Sequence, residues 1–259
     1  MNTLRIEELA EQVDAAAASG QTLTMLTASV ADLDLDTAYT VQRYSMKRRF
    51  DRNERLVGMK MGLTSFAKMQ QMGVHDPIYG HLTDRMILPA GGVLSLTGLV
   101  HPRVEPEIAF TMGSNLSGQP TPEEALAAVA SVHSAIEVID SRYTDFKFTL
   151  IDVVADNTSA CRYVLSEGVP LGDLDLGDLT ISMDVGGREQ RTGSSSAILD
   201  HPAKSLARLA TMLDARNQGL EAGQTVLAGA ATAAVHVAAG DRVSVQVEGL
   251  PDVHFFVSE

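Results

Sequence analysis

The chain has 259 residues, of which 45% are hydrophobic and 20% charged, and its formal charge is −13. That length suits one large domain or two modest ones, and the composition excludes general disorder. Lys plus Arg number 20 against 33 Asp plus Glu, so the basic footprint that a nucleic-acid backbone demands is missing.

So thin a share of charge predicts that part of the surface lies in a homo-oligomer interface. Cys161 is the only cysteine, which rules out an intrachain disulfide framework and a cysteine-built zinc cluster. The opening MNTLRIEELAEQ carries no apolar signal segment, and no apolar run approaches the ~18 residues of a membrane span. A cytoplasmic globular protein with no membrane partner is expected. Trp is absent and aromatics make up 5%, so the core must be mostly aliphatic.

Ile6, Leu9 and Val13 recur at helical spacing and predict a first helix that Gly20 stops. Residues 22 to 29 read as a short turn or helix. Asp34 caps a further helix over LDTAYTVQRYSMKRRFD, with Ala38, Val41 and Ser45 on one face. At Leu56 the pattern changes, and LVGMKMGLT reads as a strand entering a loop. SFAKMQQMG reads as a short helix with a Ser65 cap and a Gly73 stop, and VHDPIYGHLTDRMILPAGG as irregular or lid-like. From Val93 strands dominate, with VLSLTG and VEPEIAFTM first. TPEEALAAVASVH predicts a helix capped at Thr121 with Pro122 in its first position, followed by the strand SAIEVID. KFTLIDVVADNTSACRYVLSEG reads as loop, short helix and strand. LTISMDVGGREQRTG reads as a hairpin turning at Gly186-Gly187. Pro202 opens another helix, and TVLAGA, DRVSVQVEGL and VHFFVSE are late strands. The expected class is α+β, with a helical N-terminal region over residues 1–72 packed on a mainly β body over residues 73–259.

The chemistry centres on VEPEIAF. Glu105 and Glu107 are two apart on an expected strand and so share one side. Among apolar neighbours they would repel each other unless neutralised, and hard oxygen ligands select Mg²⁺ or Mn²⁺. Glu137 sits inside the apolar strand SAIEVID, where the intervening segment could return it to the first pair. The competing reading makes Glu105 and Glu107 surface acids on an edge strand. Lys60 lies between apolar neighbours: either it is buried beside the acids or its stem is covered and its tip reaches water. Asp140 should face away from the acids, toward Arg142 or loop amides. Arg142 meets either a substrate carboxylate or Asp140. Asp156, Asn157 and Ser159 form a polar knot that either caps a turn or orients a bound acid. Of seven histidines, His75 and His81 are placed nearest a site, while His133 and His236 read as structural. No dinucleotide, Walker or Gly-x-Ser-x-Gly signature is present.

Taken in order, LVGMKMGLTSFAKMQQMGVHDPIYGHLTD, HPRVEPEIAF, AIEVIDSRY and DVVADNTSACR resemble the 2-oxopent-4-enoate hydratase and 4-oxalocrotonate decarboxylase family, a branch of the fumarylacetoacetase-like group. The resemblance runs from about Ala38 to the C terminus and implies a fumarylacetoacetase-like body acting in meta-cleavage breakdown of aromatic compounds. It implies Mg²⁺ or Mn²⁺ on Glu105, Glu107 and Glu137, Lys60 in the active site, and Ser159 as a substrate contact. Residues 229 to 234 match the segment that closes the family's pocket, although Ala230 stands where a serine is common. Hydratases of the family usually read Pro-Asp-Phe-Gly where this chain has Pro77-Ile78-Tyr79-Gly80, so the wording favours the decarboxylase branch. The implied substrate is the anionic 2-oxo acid 2-oxo-3-hexenedioate, with hydration of 2-hydroxypenta-2,4-dienoate as the alternative. Arg142 is then a candidate for orienting the substrate. The resemblance also implies association with a hydratase of the same family.

Overall fold

The computed structural model describes residues 2–65, 69–70, 74 and 76–259. Three N-terminal helices come first: α1 (Thr3–Ser19), the single turn α2 (Leu26–Ser29) and α3 (Leu35–Asp51). Asn2 and Asp34 cap α1 and α3 by accepting backbone N–H groups, and Gly20 ends α1 in the left-handed conformation at φ 64°. The two long helices pack together through Leu9, Val13, Ala38 and Val41, all buried. Buried Asp14 locks the pair, accepting from Arg52 at 2.6 and 2.7 Å and from Arg48 at 3.2 Å. The helical layer ends at Asp51, and the next element is already a strand of the body.

The body holds two sheets. The larger contains β1 (Leu56–Gly62), β2 (Ile78–Thr83), β4 (Pro102–Met112), β5 (Val129–Asp140), β6 (Ala160–Leu165), β9 (Thr225–Ala230) and β10 (Val235–His236). Its order is β2-β1-β9-β4-β5-β6, with β10 paired to β4. The smaller runs β3-β12-β11-β7-β8, built from β3 (Val93–Ser95), β7 (Thr180–Val185), β8 (Glu189–Ser194), β11 (Arg242–Val247) and β12 (Val253–Ser258). Three further helices are bounded among the described residues: α4 (Pro122–Ala127), α5 (Leu150–Ala155) and α6 (Pro202–Asp214). β11 and β12 pack across β5, and one apolar core joins helices and both sheets. The expected α+β class, with helices on a fumarylacetoacetase-like β body, holds.

Strand alternation then decides which residues face the core and which face the helices. Pro106, Ile108 and Phe110 of β4 are buried on the side toward the smaller sheet, while Arg103, Glu105, Glu107 and Ala109 share the other side. The β7–β8 hairpin turns at Gly186 and Gly187, both at positive φ as expected.

Two expectations need correction. The helix expected over residues 121–133 stops at Ala127, because Val129 and Val132 pair with Met112 and Phe110. Long-range ladder bonds there outweigh the helix propensity of the alanines. The segment 78–83, expected to be irregular, is strand β2; it pairs along β1 and every residue in it is buried. The short helix expected over residues 65–73 lies largely outside the described residues, as does His75. We expect Asp14→Asn to cost about 1 kcal/mol at neutral pH, since half-exposed arginine partners leave the pair partly screened. Burial raises the Asp14 carboxyl, but bonds from Arg52 and Arg48 outweigh it and hold it below the ordinary 3.8. The stabilisation is therefore present above pH 3.8 and lost as pH falls through the lowered value. Urea unfolding should show the mutant deficit at pH 7 and its disappearance in acid.

Candidate active site

Glu105 and Glu137 sit directly opposite each other in the β4–β5 ladder, and Glu107 lies two residues along the same face. One oxygen of each carboxylate lies within 4.8 Å of the others. Lys60, on β1, opposes Leu227 of β9, and its Nζ reaches Glu137 Oε2 at 2.9 Å and Thr158 O at 3.2 Å. The sheet thus brings three acids and one lysine from three strands to one patch.

Glu107 and Glu137 are 0% and 1% exposed, which decides their electrostatics. Burial pushes Glu137 up to about 7, against the pull of Lys60 and with added repulsion from Glu105. Burial and then Glu137 push Glu107 well above the usual carboxylate range, and the Gly229 N–H, 2.8 Å from Oε2, offsets little of it. For Lys60, burial favours the neutral amine, but Glu137, Glu105 and Glu107 together outweigh it and hold the ammonium. Oε1 of both Glu107 and Glu137 has no hydrogen-bond donor among the described residues. Buried, mutually repelling oxygen donors with unmet lone pairs fit a hard divalent cation such as Mg²⁺ or Mn²⁺.

A cavity of about 430 Å³ opens over this patch. Lys60, Glu105 and Ser159 face it, with Ile78, Phe148 and Val153 among its apolar walls. Ala230, Ala233 and Ala234 border it, so the 229–234 segment does lie along the pocket. The Ser159 Oγ is buried and has no partner among the described residues. Ser159 closes a run of three left-handed residues, Asn157, Thr158 and Ser159, at φ 49°, 53° and 56°. That conformation costs roughly 1–2 kcal/mol per residue and persists only when its surroundings over-determine it. Asn157 exchanges two hydrogen bonds with the His81 backbone, and Thr158 Oγ1 donates to Tyr79 O. Gly80 makes room for the turn: a Cβ there would meet Asn157 O at 2.6 Å.

Arg142 is not brought to the patch. Its guanidinium is buried against the Asp156 carboxylate at 2.7 Å and donates to the backbone carbonyls of Asp140 and Asp156. It braces the residue that precedes the left-handed turn and lines a different recess. Asp140 faces away, as expected, accepting from the Val100 and His101 amides. His81 also points elsewhere, into a recess with Tyr79 and Arg216, and burial pushes it down to about 4. His133 is structural, bonded to Thr111, Ser131 and Ser166. The sequence reading passes over Arg103, which lines the cavity. The two-residue alternation of Arg103, Glu105 and Glu107 is the signal that finds it.

The fold and the acid patch define a fumarylacetoacetate hydrolase-like protein, and the model for the fumarylacetoacetate (FAA) hydrolase C-terminal family matches residues 60–258. Within that group the chain belongs to the 4-oxalocrotonate decarboxylase family. It is 44% identical to a 4-oxalocrotonate decarboxylase from Pseudomonas sp, over 97% of this chain and 98% of that one. It is 35% identical to a 2-hydroxyhexa-2,4-dienoate hydratase from Comamonas testosteroni, over 95% and 94% of the two chains. The solved structure of 4-oxalocrotonate decarboxylase from Pseudomonas putida G7, complexed with magnesium and adipate, superposes with a TM-score of 0.95 at 38% identity, covering 99% and 98%. No helix among the described residues is long and apolar enough to cross a membrane.

Glu107→Gln should weaken Mg²⁺ binding at least ~10-fold in calorimetric titration while leaving the circular dichroism spectrum unchanged. Gly229→Ala should do likewise by another route. Its Cβ would fall 2.1 Å from Thr64 Oγ1, so the β9 backbone that donates to Glu107 must shift.

Proposed function

We propose that this protein decarboxylates 2-oxo-3-hexenedioate to 2-hydroxypenta-2,4-dienoate and CO₂, with Glu105, Glu107 and Glu137 as the metal-holding residues. The observation that carries the reading is the meeting of those three carboxylates with Lys60 beside a partly apolar cavity that Lys60 and Glu105 line. A bound Mg²⁺ or Mn²⁺ would supply Lewis acidity to the 2-oxo oxygen.

The remaining work falls to the chain's own residues. When the bond between C5 and the distal carboxylate breaks, its electron pair forms the C4–C5 double bond. The former C3–C4 pair moves between C2 and C3, and the carbonyl pair ends on the C2 oxygen, which takes a proton. Lys60 Nζ, kept charged by its acids and 2.9 Å from Glu137, faces the growing negative charge and can supply the proton. The Ser159 Oγ, without a partner among the described residues, donates to the substrate's oxygen atoms. Ile78, Val153 and Phe148 pack around the substrate's carbon chain and exclude water from it. Arg142 acts only by holding Asp156 and hence the turn that presents Ser159.

Ile78 supports decarboxylation over hydration, since it lines the cavity where hydratases of the family usually carry an aspartate. The relative complexed with magnesium and adipate, a six-carbon diacid, supports the substrate class. The low charge content supports assembly as a homo-oligomer.

Purified protein with Mg²⁺ should release CO₂ from 2-oxo-3-hexenedioate and leave 2-hydroxypenta-2,4-dienoate unhydrated. Hydration without CO₂ release would replace this reading with the hydratase one. Lys60→Met should lower kcat by about 10²–10⁴-fold, the usual scale of proton-transfer catalysis. Its Mg²⁺ affinity should stay within a few-fold, and a near-native rate removes Lys60 from the chemistry.

A further inference from the structure

The strand that carries Glu105 and Glu107 carries one more charged group on the same face. Arg103 stands two residues before Glu105, a step of ~6.6 Å along the strand. Exposure rises in that direction: Glu107 is fully buried, while Glu105 and Arg103 are half-buried. Arg103 lines the cavity, and its guanidinium lies over the Phe146 ring, 3.9 Å from the centroid. Among the described residues its buried Nε has no hydrogen-bond partner and no acid forms an ion pair with it.

An arginine left without an anion inside a partly apolar cavity is poised for one that arrives from outside. The Lys60 ammonium is already engaged, by Glu137 at 2.9 Å and by the Thr158 carbonyl at 3.2 Å. Arg103 has no such anion among the described residues, and it is set outward of the acid patch by about the length of a short carbon chain. Its planar fork, steadied on an aromatic face, suits a carboxylate better than a hydroxyl or a methyl.

We propose that Arg103 is a specificity-determining residue that receives the distal carboxylate of the substrate, so that the site selects six-carbon 2-oxo diacids over 2-oxo monoacids. The assignment rests on the decarboxylase reading for the identity of that diacid. Pairing with Arg103 stabilises the carboxylate, which loses its charge as CO₂ departs. The interaction therefore strengthens binding and contributes nothing to crossing the barrier.

The test compares 2-oxoadipate with 2-oxohexanoate, saturated ligands that differ only in carrying a carboxylate or a methyl at C6. Their dissociation constants are measured by calorimetry on Mg²⁺-loaded protein. The wild type should prefer 2-oxoadipate by about 30-fold or more, the scale on which a desolvated charge pair is lost. Arg103→Met should bring the two within ~3-fold by weakening 2-oxoadipate alone, and Arg103→Lys should fall between. In turnover, Arg103→Met should raise KM for 2-oxo-3-hexenedioate by a similar factor with kcat unchanged or higher. If Arg103→Met does not fold, Arg103→Lys carries the comparison. Equal weakening of both ligands, or a wild type indifferent to the distal carboxylate, overturns the assignment. A strong preference for 2-oxoadipate in a protein that releases no CO₂ would sink the decarboxylase reading and leave the role of Arg103 intact.

Discussion

The structure depends on a repulsion placed where water cannot relieve it. Glu105 and Glu137 are cross-strand partners, Glu107 is the next residue on that face, and two of the three are almost wholly buried. Like charges opposite each other in a ladder destabilise a sheet, and buried ones do so most. Among the described residues one ammonium and one backbone N–H stand against Glu107 and Glu137, which leaves an oxygen of each unmet. The deficit is local and hard in character, which is what a divalent cation fits.

The turn over residues 157–159 shows how strain is held in place. Three successive left-handed residues are tolerable because Asn157 and Thr158 are tied to the β2 backbone, while Arg142 and Asp156 fix the approach. The arrangement gives Arg142 a place in the site's architecture without a place in its chemistry. It also explains why β2, with its central glycine, is wholly buried despite a sequence full of turn residues.

Much of the site was legible in the sequence, for reasons that are themselves physical. Glu105 and Glu107 showed themselves by two-residue spacing, and Glu137 and Lys60 by charge set among apolar neighbours. The N-terminal helices were legible through their caps and apolar spacing. What depended on distant pairing was not. The alanine-rich stretch after Ala127 reads as helix until its valines are seen facing Met112 and Phe110. The segment 78–83 reads as loop until β1 is beside it. Arg142 looked like a substrate contact because its partner, Asp156, lies fourteen residues away and is brought in only by the fold. Arg103 was overlooked because a lone arginine beside a proline carries no local sign that it lacks a partner.

The parallel pairing of β1 with β9 joins residues 58–60 to residues 225–227, and β9 then pairs with β4. Lys60 is thereby tied to the acids across a strand made late in synthesis. Pairings of such long separation close slowly and late. A nascent chain that has emerged only as far as α6 holds all three acids and the lysine, yet the strand that seats them side by side is still on the ribosome. Activity should therefore appear all at once with the residues that follow Asp214, and no fragment that ends there should show a partial form of it.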